Sequence, residues 1–460
     1  MNANDLRAIS VLDAHGQAEL VRKREVPPTA PVDAAIARIE EMDPGVNAVS
    51  HRAFGHAREA AATVDRNAPM AGVPYLLKAS MEYPGFPLVS GSRSRLTAVG
   101  RRKFPFVRRM DEAGLVPCGM SCMPEFGLMG TSEALLYGPT RNPCQPDRGS
   151  GGSSGGAAVA VATAMVPFAT ASDGGGSIRI PAAHCGIIGF KPGRGWNLRA
   201  RGPSLVDDLL TSDALYGRSM RDTIWAAQFL RAQPPGATRP ERELRIALYP
   251  IGLDGLPPAP DVAAALTKAG ALCEALGHHV EPSQPPLDGA AIRRAFETLW
   301  VHAAGEVFDR TPEPAKALLE PWTLGLAALR ETVNPETLAE ALSCSDAMHR
   351  DLERFWRRFD MVLSPVASDT APPLGQLAPD RPFEALWADH FRHVNYTQLQ
   401  NIGGFPAISL PLFRCDQGLP VGAMFWTARG GDDALLGLGL MLEEAVGWTD
   451  RKVQIPRPEA

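Results

Sequence analysis

The chain predicts an α/β layered fold. Short apolar segments flanked by glycine or proline alternate with longer stretches of helical periodicity, the pattern of stacked strands and helices rather than of an all-β protein. Hydrophobic residues make up 45% of the 460, ordinary for a globular core and too many for a disordered chain. One run of 18 residues, 155–172, carries no charge. Its alanines, its Pro167 and its flanking glycines fit a tightly packed core helix followed by a buried strand better than a membrane span.

The elements follow in order. The first 65 residues read as helical, with Pro31 suited to a first turn and an apolar stripe through Ala35, Ile36 and Ile39. HRAFGHAREAAATVDR reads as a second helix. GVPYLLK (72–78) is a short buried strand ending on a lysine. VRRMDEAG (107–114) is a helix stopped by Gly114, and LVPCG follows as a strand. Residues 140–156 form a polar, glycine-rich loop, GGAAVAVATA a helix, MVPFATAS a strand and DGGGS a turn. Ser219-Met-Arg-Asp222 opens a helix with a capping-box pattern. Beyond it, LRIALY (244–249) is a strand, 261–277 a helix, and 288–358 mostly helical. FDMVLSPV (359–366) and FPAISLPL (405–412) are buried strands, and 432–448 is a closing amphipathic helix. The proline-rich stretch 234–243 fits a linker and a surface crossover equally well.

Composition narrows the function. The net charge of −5 and the absence of any run of five like charges argue against a nucleic-acid surface. The seven cysteines are scattered without CxxC, as expected of small buried hydrophobes in a reducing compartment. The N-terminus lacks the basic and apolar regions of a signal peptide, so a cytoplasmic location without a membrane partner is expected. The ten histidines show no ligand spacing, and no dinucleotide or phosphate-loop pattern occurs. Neither a metal nor a cofactor is implied.

Glycine and proline exceed average usage by about 12 and 19 residues. Eight of the 44 glycines fall within 149–177, in GSGGSSGG and DGGGS. Such turns free backbone N–H groups to hold an anion, and a serine at the end of one lies beside its own oxyanion site. Gly151-Gly-Ser153-Ser-Gly155 matches the G-x-S-x-G elbow, but the residues before it are polar and broken by proline rather than a strand. Taken alone, the clusters could also serve only tight turns.

GVPYLLK (72–78), GGSSGGAAVAVA (151–162) and DGGGSIRIP (173–181) together resemble the amidase signature family. MPEFG (123–127), Asn142-Pro143 and the late segments LSPVASDTAPP, GGFPAISLPL and GLPVG match its flanking patterns. The resemblance runs over roughly residues 30–450. It implies a large mixed β-sheet covered by helices on both faces, in a single domain of residues 1–460. That domain would comprise a helical region (1–65), a signature core (66–200) and a C-terminal part (201–460) completing the sheet and pocket. It also implies Ser177 as nucleophile, Ser153 as a bridging serine on a cis peptide, and Lys78 as base. The N–H groups of Gly174, Gly175, Gly176 and Ser177 would line the oxyanion hole.

The residue types suit that chemistry. A serine hydroxyl needs a base to become nucleophilic, and a free lysine is protonated at neutral pH unless burial disfavours its charge. One departure stands out: the family places aspartate after the lysine, and this chain has Ala79. Asp173 and Arg179 are expected to shape the loop. His184, Cys185, His278 and His279 are expected to be structural.

The implied substrate is a small-molecule amide with an apolar or aromatic acyl group. Met129 and Tyr137 are candidates to bind it, with Phe126, Leu128, Leu135 and Leu136 around them. The segment from Trp196 to Tyr216 is a candidate rim. Carbamate or aryl ester hydrolysis, a glutamine-hydrolysing subunit and a non-catalytic binding protein are the other readings. A homodimer is compatible with all of them.

Overall fold

The computed structural model describes residues 1–232 and 243–450. The proline-rich stretch at 234–243, except Glu243, lies outside the described residues.

The α/β class holds. Eleven strands occur among the described residues: β1 (Val49–Arg52), β2 (Pro74–Lys78), β3 (Val116–Ser121), β4 (Phe168–Asp173), β5 (Gly189–Lys191), β6 (Ser212–Tyr216), β7 (Arg245–Leu248), β8 (His279–Pro282), β9 (Met361–Pro365), β10 (Ala407–Arg414) and β11 (Pro420–Trp426). Hydrogen bonding divides them into two mixed sheets, ordered β1-β3-β2-β4-β6 and β5-β10-β11-β9-β7-β8. In the first, β2 runs parallel to β3 and β4 while β1 and β6 pair antiparallel at the edges. The second joins an antiparallel half to a parallel one across β9 and β7. The edges β5 and β6 face each other, and the Ser212 hydroxyl donates to the Pro192 carbonyl at 2.9 Å across the seam.

Three helices among the described residues are buried along their whole length, Gly155–Ala162, Arg179–Cys185 and Gln398–Ile402. The first is the uncharged run read from the sequence. A Cβ on Gly156 would lie 2.5 Å from the Ala48 carbonyl and the Cys122 nitrogen, so this helix start can press on the backbone only as glycine. The second packs on β10 and β11.

Two local expectations change. HRAFGHAREAAATVDR is not one helix: His51 and Arg52 belong to β1, whose partner β3 overrides local propensity, and the helix runs Phe54–Thr63. At Ser219 only half of the capping box forms. The Ser219 hydroxyl accepts from Asp222 N, but the Asp222 carboxylate turns away to accept from Ala14 N at 2.7 Å and from His15. A distant helix N-terminus outcompetes the local one. No helix among the described residues is long and apolar enough to cross a membrane.

Candidate active site

Lys78 is the last residue of β2, a strand buried throughout. Side chains alternate along it: Tyr75 and Leu77 enter one apolar cluster, Leu76 another, and Lys78 follows Leu76. Its Nζ lies within a shell of hydroxyls, donating to Ser153 Oγ at 2.7 Å, Ser154 Oγ at 2.9 Å and Ser172 Oγ at 2.9 Å. Burial lowers its pKa to about 7; the Arg201 guanidinium pushes the same way, and Asp213 and Asp173 oppose. Ser154 and Ser172 were not singled out from the sequence. Their signal was weak: Ser154 adjoins Ser153, and Ser172 closes an apolar strand.

The peptide bond Gly152–Ser153 is cis. A Cβ on Gly152 would lie 2.1 Å from the Thr131 carbonyl, so the loop carrying Ser153 runs against backbone. Ser177 ends the second glycine cluster and is nearly buried. Asp173 organises that turn from within, as expected. Its carboxylate accepts from the N–H groups of Gly176 at 2.7 Å and Ile178 at 3.1 Å, and takes a two-pronged ion pair from Arg179. Arg179 and Asn401 hold the carboxyl well below the usual range despite its burial. Arg179 in turn reaches Gln400 and Asn401, tying the turn to the helix Gln398–Ile402.

The Gly176 N–H donates to the Asp173 carboxylate at 2.7 Å, so in this arrangement it is not free for an oxyanion. The N–H groups of Gly174, Gly175 and Ser177 have no partner among the described residues. Glycine at 175 and 176 has a packing reason as well: added Cβ atoms would meet Phe296 at 2.5 Å and Thr397 at 2.2 Å.

A cavity of about 530 Å³ joins these groups, lined by Lys78, Ser153, Ser172, Gly174 and Ser177. Met123, Phe126, Leu128, Val206, Trp300 and Val307 give it apolar walls. Phe126 and Leu128 were foreseen; the helix residues Trp300 and Val307, more than a hundred positions away, were not. Trp300 is fixed by its Nε1–H, which donates to the Leu128 carbonyl at 3.1 Å. Met129 and Tyr137 do not line the cavity. Met129 packs in the largest apolar cluster, and the Tyr137 carbonyl accepts from the Asn47 side chain at 2.8 Å. A short turn at 125–127 re-aims the chain, so proximity in sequence to Phe126 did not carry over. Of the predicted rim, Arg201, Ser204, Val206, Asp207 and Thr211 line the cavity. Trp196 instead stacks under Arg231, and Tyr216 is buried with its hydroxyl on the Ile178 carbonyl.

His184 and Cys185 are buried in their helix, and His278 accepts from Leu244 N. No group of three His, Cys, Asp or Glu side chains placed to hold a metal occurs among the described residues.

The fold and the site's motifs define an amide hydrolase. The profile of the family described as Amidase matches residues 30–436. The chain is 34% identical over 461 residues to the putative amidase AmiC of Mycobacterium tuberculosis, covering 96% of each chain. It is 33% identical to the 6-aminohexanoate-cyclic-dimer hydrolase of a Pseudomonas species, covering 97% of each. The solved structure of a 6-aminohexanoate cyclic dimer hydrolase with substrate superposes with a TM-score of 0.88 at 30% identity, covering 97% of this chain and 99% of that one. The chain belongs to the amidase signature family.

Proposed function

We propose that the protein cleaves a small amide with an apolar or aromatic body through an acyl-enzyme on Ser177. The observation that carries this is the buried Lys78 amine, held on three serine hydroxyls in the cavity that Ser177 also lines. With its pKa near 7, this amine is largely neutral in mildly alkaline water and can accept a proton. Ser153 passes its proton to Lys78 as it takes that of Ser177. Ser177 Oγ bonds to the amide carbonyl carbon, and the oxyanion rests on the free N–H groups of the glycine turn. The C–N bond then breaks, with the leaving nitrogen protonated by Ser153 and Ser153 resupplied from Lys78. Water repeats the sequence on the ester and releases the acid. The apolar walls around Phe126, Leu128 and Trp300 support an apolar or aromatic group beside the scissile bond.

The test is Ser177→Ala on an anilide. We expect kcat/KM to fall by at least ~10³-fold with an unchanged circular-dichroism spectrum. Hydrolysis at the wild-type rate would remove Ser177 as nucleophile.

A further inference from the structure

Four basic side chains line the catalytic cavity: Lys78, Arg95, Arg201 and Arg310. Three have partners. Lys78 rests on serine hydroxyls. Arg201 is ion-paired with Asp207 and Asp213, and Arg310 with Glu306 at 3.0 Å. Arg95 differs: its guanidinium makes no hydrogen bond, ion pair or ring contact among the described residues. The one carboxylate that acts on it, Glu82, does so at a distance. Glu82 is already engaged by Arg102 and by the N–H groups of Arg101 and Arg102.

Arg95 closes the short turn Arg93–Arg95 and is half-buried. Burial disfavours its charge, yet an arginine does not shed a proton near neutrality. A desolvated, unpaired cation is costly, and a ligand anion removes that cost. The acidic side chains lining the cavity, Asp207 and Glu306, are both already paired. Arg201 already faces two carboxylates and Arg310 one, so Arg95 is the cavity cation left without a counter-charge in contact among the described residues. The hydroxyl residues Ser80 and Ser94 line it too and can supply further donors. A single unpaired guanidinium, a planar two-pronged donor, matches a carboxylate.

We propose that Arg95 selects amides bearing a carboxylate remote from the scissile bond. The inference rests on this cavity being the substrate site of the Ser177 reaction. It adds to the apolar body a single anionic end group.

Matched substrates test it: glutaric acid mono-para-nitroanilide against pentanoic acid para-nitroanilide, and pentanoyl-4-aminobutyrate against N-butylpentanamide. In at least one pair the wild type should prefer the carboxylate by roughly 10–100-fold in kcat/KM, mainly through KM. Arg95→Ala should abolish that preference and leave the uncharged substrate within about twofold. Arg95→Lys should restore part of it, and added salt should weaken it. No preference in either pair, or an equal loss on both members, overturns the proposal. Should none of the four be turned over, calorimetric binding to Ser177→Ala decides. Tighter binding of a carboxylate member, lost on adding Arg95→Ala, supports it; equal or absent binding overturns it. Wild-type hydrolysis by Ser177→Ala is a separate outcome, which removes the nucleophile reading and not the charge preference.

Discussion

Two lysines in this molecule share nearly everything but their neighbours. Lys78 ends β2 and Lys191 ends β5; both are fully buried, and burial lowers both to a pKa of about 7. Lys78 faces three serine hydroxyls and the cavity. Lys191 sits at the seam of the two sheets, donating to the Pro192 carbonyl at 3.0 Å and reaching Ser212 Oγ at 3.5 Å. It does not line the catalytic cavity. Burial, helped by a nearby arginine, thus brings a lysine's pKa down to about 7, and the fold does so twice. A base also needs a hydroxyl that can relay a proton to a nucleophile, and an opening through which substrate arrives.

The sharpest way to break this comparison is to remove each amine. Lys78→Ala should lower kcat/KM on any cleaved amide by ~10³-fold or more, with single-turnover acylation slowed alike. Lys191→Met should stay within about threefold. The Pro192 carbonyl keeps the Ser212 hydroxyl as donor, so the apolar replacement strands no acceptor. In wild type and Lys191→Met alike, kcat/KM should rise with pH through about 7, as Lys78 loses its proton. An equal loss in both variants would show that burial, not the serine shell, matters.

The same contrast explains what the sequence could disclose. Lys78, Ser153 and Ser177 were legible because their three motifs occur together and in order, and that joint resemblance, not any one of them alone, implies their roles. Lys191, with an equal burial, carries no such pattern, and its seam is created by pairing 21 residues apart. Trp300 and Val307 reach the cavity through tertiary packing, which periodicity does not encode. Met129 and Tyr137 lie off the cavity for the converse reason: across the turn at 125–127, adjacency along the chain is not adjacency in space. That the Gly176 N–H donates to Asp173 was likewise not legible, because a run of glycines does not say which N–H has a partner within the turn.

Stability offers a second, smaller separation. An unfolded lysine holds its proton to about pH 10.4; these two release theirs near 7 when folded. Below pH 7 both are protonated in both states, and the cost of burying the charge is carried in full. Between about 7 and 10.4 the unfolded chain binds more protons, so each lysine adds about 1.4 kcal/mol of stability per pH unit. Urea unfolding at pH 7, 8 and 9 should therefore give a shallower rise for Lys191→Met than for wild type, and a more stable protein at pH 6. An unchanged slope would mean that Lys191 keeps its proton in the folded state.

The smallest effect bears on what distinguishes the environment of Lys78 itself. Position 79 holds a buried alanine where the family pattern has aspartate. The nearest substitute in electrostatic effect lies on β6: Asp213 supports the Lys78 cation while its partner Arg201 opposes it. Asp213→Asn removes the supporting charge and frees Arg201 to act with only Asp207 against it. The Lys78 pKa should fall, and the rising limb of kcat/KM should move to lower pH, by less than about one unit. Arg201→Gln should move the limb the opposite way. General damage to β6 would shift both variants in the same direction, so opposite shifts identify charge as the cause. Neither Asp213 nor Arg201 is among the main charges acting on Lys191, so the stability slope assigned to that lysine should change little in either variant.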